Sequence, residues 1–535
     1  MTGPMSFISA QFAVFVLCAL LVFYLVPKKW QWCVLLIASY YFYLCTGLRN
    51  LYFILTTTIS TYLFARLIAK ETDKQKDYLK QHKEHLTKEE KKSYKSAVKK
   101  RQRWLLLACL LLNFGILLFL KYANWSISYI NLFRLHFFHN TNFVGFLDLF
   151  LPLGISFYTF QSMGYLIDIY YGKYDAEKNP FRFALYVSFF PQIIQGPISR
   201  FGALAPELYK ETAFDFYRIK SGFYRIMWGL FKKLVIADRL ALYVTTAMDF
   251  RTDYKGAYLF LAVFFYSMQI YGDFSGGIDI AIGVSELFGI RLAENFERPF
   301  FSKSIAEYWR RWHITLGTWF KDYIFYPLSI SKRVMNFGKW VRTHGSEALG
   351  KRIPIYLPMI IVWATTGMWH GSQNRYVIWG LLNCLLIIVG TEFEPISRKL
   401  IEKLHIDEKG LPLKIFRVVK TFWLMAFLRI FDISANTGAA LETMKYMFQE
   451  LPAFRFQTIF ENLNLPIEEF VVVCVAIVIL FCVSMLQRTG SLRERIFTLP
   501  TALQWVVLGT LVGAVVIFGA YGRGFDAQQF IYLQF

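Results

Sequence analysis

Apolar runs recur along the chain at lengths that suit a bilayer, about 17–25 residues as helix. The clear ones occupy residues 8–26, 31–47, 51–69, 104–120, 147–171, 256–284, 354–370, 375–392, 413–434, 468–487 and 502–520. They predict an all-α polytopic membrane protein with about 11 transmembrane helices. Two further stretches are apolar but broken: 182–200 by Pro191, Gly196 and Pro197, and 222–245 by Lys232 and Lys233. Non-helical backbone at membrane depth is tolerated only where protein buries it or where it lines a cavity. The middle third therefore reads as re-entrant or interfacial helices around a site, with two poor spans as the plainer alternative. The first run has no positive segment before it and no small-residue cleavage site after it, so it is expected to be an anchor and not a removed signal peptide.

Composition and charge sharpen this picture. Of the 535 residues, 56% are hydrophobic and 18% charged, against about 45–50% and 25% in ordinary soluble domains. The net charge is +22, and aromatics reach 54 Phe, 32 Tyr and 14 Trp. So apolar a chain is not intrinsically disordered, and its basicity does not call for a nucleic-acid partner. Residues 70–103 carry +7, 331–353 carry +5, 397–420 carry +4 and 488–495 carry +2, which together account for +18 of the net +22. The loop 436–469 is −3, and 122–146 has only Arg134. By the positive-inside bias the four basic segments are cytoplasmic, and both termini are expected to be extracytoplasmic. The 70–103 segment reads as a solvated, charged cytoplasmic hairpin. All 7 cysteines lie in or beside apolar runs without CxxC spacing, so they read as core residues, with no metal site and no disulfide framework expected.

Among 8 histidines, two stand apart. In 304-SIAEYWRRWHITLGTWFKDYIFYPL-328, Trp309, His313, Leu316 and Phe320 fall on one face of a predicted continuous amphipathic helix, with His313 on the apolar side. His370 closes the apolar run 354-PIYLPMIIVWATTGMWHG-371, flanked by Gly367 and Gly371. An ionisable residue inside a span is a functional candidate by default, and imidazole titrates near neutrality, as proton transfer requires. A hydrogen-bonded core histidine and a helix-end histidine are the plainer readings of the two. Asp168, Asp273, Asp279 and Glu286 also sit in apolar stretches, either lining a polar path or held in structural pairs. No P-loop, GxSxG, HExxH or zinc spacing is present.

The ordered segments PLGISFYTFQSMGYLIDIYYGK, FFPQIIQGPISRF, YGDFSGGIDIAIG, ENFERPF, EYWRRWHITLGTWFKDYIFYPL and GMWHG resemble the membrane-bound O-acyltransferase (MBOAT) family. More narrowly they resemble its bacterial branch, typified by the alginate O-acetyltransferase membrane subunit, with D-alanyl-teichoic-acid transferase as a cousin. The resemblance implies a single integral-membrane domain over 1–535, with a many-helix fold around a tunnel and a catalytic core at 150–380. It implies His370 as the catalytic residue, His313 as the second active-site position, and Trp309, Trp369 and Asp273 as tunnel-lining candidates. It further implies transfer of an acyl group, acetyl first among the candidates, from a cytoplasmic acyl-CoA or acyl-carrier thioester across a bacterial plasma membrane. A polysaccharide or other envelope polymer would be the acceptor, with an extracytoplasmic SGNH-type acyltransferase as partner. The tail 521–535 contains Phe530, Tyr532 and Phe535, a pattern similar to tails in related surface-acylation systems, which implies a role for Tyr532 as an acyl carrier; an aromatic tail resting at the membrane interface is the alternative. Two departures bear on donor and acceptor subclass: 326-YPLSISKRV-334 after the His313 segment, and Gly277 after DFSG.

Two rival functions remain open at this level. A transporter or flippase for an envelope precursor would use Asp273, Asp279 and Glu286 as its path, although no inverted or 20–50-residue repeat is evident. A membrane scaffold for a secreted acyltransferase would leave both histidines as core residues.

Overall fold

The computed structural model describes residues 5–139, 141–449 and 454–521. Among these, regular structure is helical, apart from one isolated antiparallel bridge between Phe296 and Trp312. Each of the 11 apolar runs contains a helix. Among the described residues, five helices are long and apolar enough to cross a membrane: Leu48–Gln81, Lys88–Phe138, Asn374–Lys403, Ile467–Thr489 and Thr501–Phe518. The protein is thus an all-α, multi-pass membrane protein, with fewer long apolar helices than the expected 11. The shortfall has physical causes. Ala10–Leu25 has 16 residues, about 24 Å of helix against about 30 Å of hydrocarbon. Ala257–Leu287 is diluted by Asp273, Asp279 and Glu286, and Leu411–Leu428, separated from Ile430–Ile433 at Arg429, carries Lys414, Arg417 and Lys420. Tyr532, with the rest of the tail beyond Tyr521, lies outside the described residues.

The chain divides into two compact units, Met1–Ile219 with Val284–Ala293, and Lys220–Gly283 with Glu294–Phe535. In the first, the basic segment forms the meeting ends of two long helices, Leu48–Gln81 and Lys88–Phe138. The second of these starts in a capping box, Thr87 accepting from the Glu90 amide and Glu90 accepting from the Thr87 amide. Ile155–Tyr171 begins only at Gly154, leaving the front of the 147–171 run outside the helix. Gly154 has φ +71, and a Cβ there would lie 2.2 Å from the Ile193 carbonyl oxygen, so only glycine fits. The broken 182–200 stretch folds as Pro180–Ser188, one short turn at Phe190–Ile193, and irregular backbone. Its buried Gln192 donates to Gln161, which in turn donates to the Tyr186 carbonyl at 2.6 Å, satisfying polar groups that burial would otherwise penalise.

In the second unit, Lys232 and Lys233 do not break the helix. Phe216–Leu230 continues through a π-helical stretch, Phe231–Ala237, into Asp238–Asp249. The wider turn accommodates two buried lysines whose charges are met by carboxylates: Lys233 Nζ lies 2.5 Å from Asp273 and 2.9 Å from Asp238, and Lys232 Nζ 2.6 Å from Asp279. Glu347–His370 and Asn374–Lys403 form a tight antiparallel hairpin in the same unit.

Candidate functional site

His370 is the last residue of Glu347–His370, and the hairpin turn that follows fixes its surroundings. A Cβ on Gly367 would lie 2.3 Å from the Tyr376 carbonyl oxygen and 2.9 Å from Val377 Cα, and one on Gly371 2.2 Å from the Tyr376 ring. These glycines let the two helices close to backbone contact at the histidine. The His370 ring is buried among Trp369, Trp379 and Tyr376, at centroid distances of 4.9, 4.6 and 6.5 Å. Beside it is a small cavity of about 10 Å³, lined in part by Trp309, Trp312, Trp379, Arg429 and Asp432, which is roughly the space one water occupies.

His313 does not sit in a continuous helix, contrary to the 3.6-residue periodicity. Ile305–Arg311 ends before it, Trp312 is extended, and His313 itself takes the left-handed conformation at φ 48 before Ile314–Phe320 begins. Long-range backbone pairing overrides the helical pattern: Glu297 N–H donates to the Arg311 carbonyl at 2.9 Å, and Ile314 N–H to the Asn295 carbonyl at 3.1 Å. A non-glycine residue at positive φ is held there only by such surroundings. The Asn295 side chain completes the arrangement. Its Oδ1 accepts from the Thr315 amide at 2.9 Å, which fixes the orientation of the amide and turns Nδ2 towards His313 Nδ1 at 3.1 Å. Asn295 Oδ1 also lies 3.3 Å from Nδ1; with Nδ2 as the nearer partner, Nδ1 accepts when the His313 proton is carried on Nε2.

Trp369 joins the two histidines. Its ring lies 5.9 Å from the His313 ring and 4.9 Å from the His370 ring. Trp309 faces the same region, stacked edge-on against Trp363 and Trp379 and donating through Nε1 to Asn383 at 2.9 Å. Among the sequence candidates, His313, His370, Trp309 and Trp369 are therefore brought together. Asp273 is elsewhere: it is buried in the ion pair with Lys233 and does not line the cavity at His370. Asp279 is likewise held by Lys232 and by Arg225, the latter at 3.0 Å. Both carboxylates are thus held in ion pairs, and Asp279 also lines a cavity. A second cavity, about 650 Å³, is lined by Arg225, Lys232, Asp279 and residues of the two C-terminal apolar helices, and Asp273 does not reach it either. It contains neither histidine; Phe296 and Tyr271 line it, and Phe296 packs against Trp312 and Phe274, whose ring lies 4.8 Å from His313. Size alone would select this larger cavity, but His370 borders the small one, and His313 lines neither.

The model of the membrane-bound O-acyltransferase family matches residues 178–431, the stretch that contains His313, His370 and Asn295. The chain is similar to this family over that stretch. A probable alginate O-acetylase, AlgI, of Pseudomonas syringae pv. tomato is 36% identical over 286 residues, 53% of this chain and 50% of that protein. A peptidoglycan O-acetyltransferase of Helicobacter pylori is 32% identical over 373 residues, 65% of each chain. A teichoic acid D-alanyltransferase of Bacillus subtilis is 30% identical over 251 residues, 46% of this chain and 60% of that one. The matched stretch spans about half the length of the AlgI relatives.

Within the segment that carries the membrane-bound O-acyltransferase match, three polar residues at the site escaped the sequence reading. Asn295 lies in ENFERPF, a motif visible in the sequence, but its role appears only once the chain folds back on Trp312–Thr315. Arg429 and Asp432 line the cavity at His370. The Arg429 guanidinium sits 4.3 Å from the Trp312 ring centre and donates to the Tyr308 hydroxyl, and Arg375 donates to the Asp432 carbonyl at 3.0 Å. Two opposite charges three residues apart in an apolar run, 428-LRIFD-432, were the available signal.

Proposed function

We infer that this protein is a membrane-bound O-acyltransferase that moves a small acyl group, acetyl in the first instance, from a cytoplasmic thioester across the membrane for O-acylation of an extracellular polysaccharide or cell-envelope polymer. The observation that carries the reading is the convergence of His313 and His370 on Trp369 inside the family-matched segment. The names of the relatives, O-acetylases and a D-alanyltransferase of envelope polymers, support the acceptor class. Acetyl-CoA is the donor of choice, the four basic segments are cytoplasmic and attract it, both termini are extracytoplasmic, and about 11 helices with re-entrant segments enclose the tunnel. An SGNH-type partner would complete transfer outside the cell.

In this reading the neutral imidazole of His370 accepts the proton of an acceptor hydroxyl as that oxygen attacks the thioester carbonyl. The tetrahedral oxyanion then collapses, the carbon–sulfur bond breaks, and the imidazolium returns its proton to the departing thiolate. His313, with Nδ1 occupied by Asn295, presents its Nε2–H as a donor that stabilises charge at the reacting carbonyl. A thioester is activated, so one positioned base contributing about 10²–10⁴-fold meets the chemical demand. The cavity at His370 holds about 10 Å³, so substrate entry requires its aromatic lining to move. If the attacking hydroxyl is that of Tyr532, an acyl-tyrosine forms first and the overall reaction has two steps.

The test is thiol release from acetyl-CoA by detergent-purified protein supplied with a hydroxyl acceptor. His370→Ala is expected to lower the rate by about 10²–10⁴-fold with the protein still monodisperse. Wild-type rate in that variant removes His370 from the mechanism.

A further inference from the structure

Arg429 is a buried cation, 4% exposed, in the wall of the small cavity that His370 borders. It sits at the junction of Leu411–Leu428 and Ile430–Ile433, and two contacts fix its guanidinium. The guanidinium carbon lies 4.3 Å from the Trp312 ring centre, and Nη2 donates to the Tyr308 hydroxyl. Those two rings stack on one another at 5.6 Å, so the platform under the charge is itself packed. The Nε–H is buried without a hydrogen-bond partner, whereas buried donors are ordinarily satisfied. Trp379, 3% exposed, borders the same cavity, and its indole Nε1–H is likewise buried and unpartnered. Asp432 also borders the cavity, and the charges of both Arg429 and Arg375 act on it. Among the described residues, neither guanidinium has a carboxylate within ion-pair distance. Two cations against one carboxylate leave positive charge in excess. Burying a cation without a paired partner is costly, and a fixed cation in a dry, aromatic-walled site suits negative charge that forms during a reaction.

We propose that Arg429 is a catalytic residue of acyl transfer, donating from Nε to the thioester carbonyl oxygen as that oxygen becomes negative, with Trp379 Nε1 as the second donor. The assignment rests on the acyl-transfer reading of His370. In the step, the acceptor hydroxyl oxygen bonds to the carbonyl carbon, its proton passes to His370, and the carbonyl π electrons move onto the oxygen that faces Arg429. Collapse re-forms the carbonyl, the carbon–sulfur bond breaks, and the thiolate takes the proton back from the imidazolium. Arg429 stays protonated throughout. His313 does not border this cavity, so Arg429 and Trp379 act from the side that His370 occupies. The cavity, about 10 Å³, has room for one water-sized atom, which fits a single oxygen and not a whole acyl group. A guanidinium held by a ring and a hydroxyl needs no rearrangement when the charge appears, which is what makes such donors effective.

The test sets acetyl-CoA turnover by the detergent-purified full chain beside its affinity for two inert analogues, the methyl ketone of acetyl-CoA and the trifluoromethyl ketone, whose hydrated carbonyl is tetrahedral. Arg429→Gln is expected to lower kcat about 10²–10³-fold with KM for acetyl-CoA little changed, and to lower the preference for the trifluoromethyl ketone by a similar factor. Tyr308→Phe keeps the ring and the buried charge but removes the hydroxyl that holds the guanidinium; it should lower kcat and the analogue preference together, and it reads the proposal if Arg429→Gln does not fold. Equal loss of affinity for both ketones, with their ratio unchanged, overturns the proposal, because a merely structural role weakens both alike. Recovery of turnover on adding Asp432→Asn to Arg429→Gln also overturns it, since Arg429 would then serve only to balance Asp432. Wild-type kcat in Arg429→Gln with His370→Ala inactive overturns the role of Arg429 alone and leaves His370 in place, whereas wild-type rate in His370→Ala removes both.

Discussion

The hairpin that carries His370 makes an unusual demand on Gly367. Helix-interior glycine ordinarily costs about 1 kcal/mol relative to alanine, so Gly→Ala on an open helical face stabilises. Gly390, on Asn374–Lys403, is such a position: a methyl group added there would have no neighbour within 4 Å. At Gly367 the added methyl meets backbone, the Tyr376 carbonyl oxygen at 2.3 Å, whereas ordinary contact begins at 3.4 Å. No side-chain rotation relieves this, so the helices must separate by about 1 Å at the turn that positions His370. Overpacking of this kind costs about 1–3 kcal/mol, and a 1 Å misplacement of a reacting group costs about 10²-fold in rate. Gly367→Ala is therefore expected to lower the apparent melting temperature and to reduce acyl transfer about 100-fold, while Gly390→Ala leaves transfer unchanged and raises stability slightly. Fluorescence-detected thermal unfolding and thiol release from acetyl-CoA on the same preparations read both effects. Wild-type rate and stability in Gly367→Ala would refute the claim that this close approach sets the histidine.

Three further outcomes follow from named contacts. Asn295→Ala removes the amide that holds His313 Nδ1 and the acceptor for Thr315; transfer should fall with binding of donor little changed, so a drop in donor affinity at constant turnover would contradict the assignment. Lys233→Met leaves Asp273 and Asp238 buried with their shared cation gone and should cost about 3–5 kcal/mol; adding Asp273→Asn should recover part of it, whereas additive losses in thermal unfolding would contradict the pairing. Tyr532→Phe should abolish a covalent acyl-protein adduct in intact-mass measurements after incubation with acetyl-CoA; an adduct of wild-type yield rules out the tyrosine carrier.

The apolar pattern reached the fold because helix burial in a membrane is a local property. Every apolar run contains a helix, and the basic 70–103 segment falls at the meeting ends of Leu48–Gln81 and Lys88–Phe138. It failed where distant segments decide the backbone. The periodicity through Trp309, His313 and Phe320 is real, but the chain pairs instead with residues 295–297, and that pairing places His313 at positive φ. The partner of Asp273 was hidden for a similar reason: Lys233, 40 positions away, lies in a π-helical stretch that the apolar pattern does not show. Arg429 and Asp432 were hidden because an ion-bearing helix end has no repeating pattern, and only the position of Trp312 shows what they face. His370 was singled out because a titratable residue at the end of a span, flanked by Gly367 and Gly371, is a functional candidate by default.

The central claim, transfer from one side of the membrane to the other through His370, is tested most directly in proteoliposomes of known orientation. Acetyl-labelled acetyl-CoA would be supplied on the face bearing the basic segments, with a soluble polysaccharide acceptor and the extracytoplasmic fraction enclosed on the other. The account predicts label on the enclosed acceptor with wild-type protein and none above background with His370→Ala. Label reaching the acceptor at equal rates with both proteins, or only when donor and acceptor share a compartment, would contradict it.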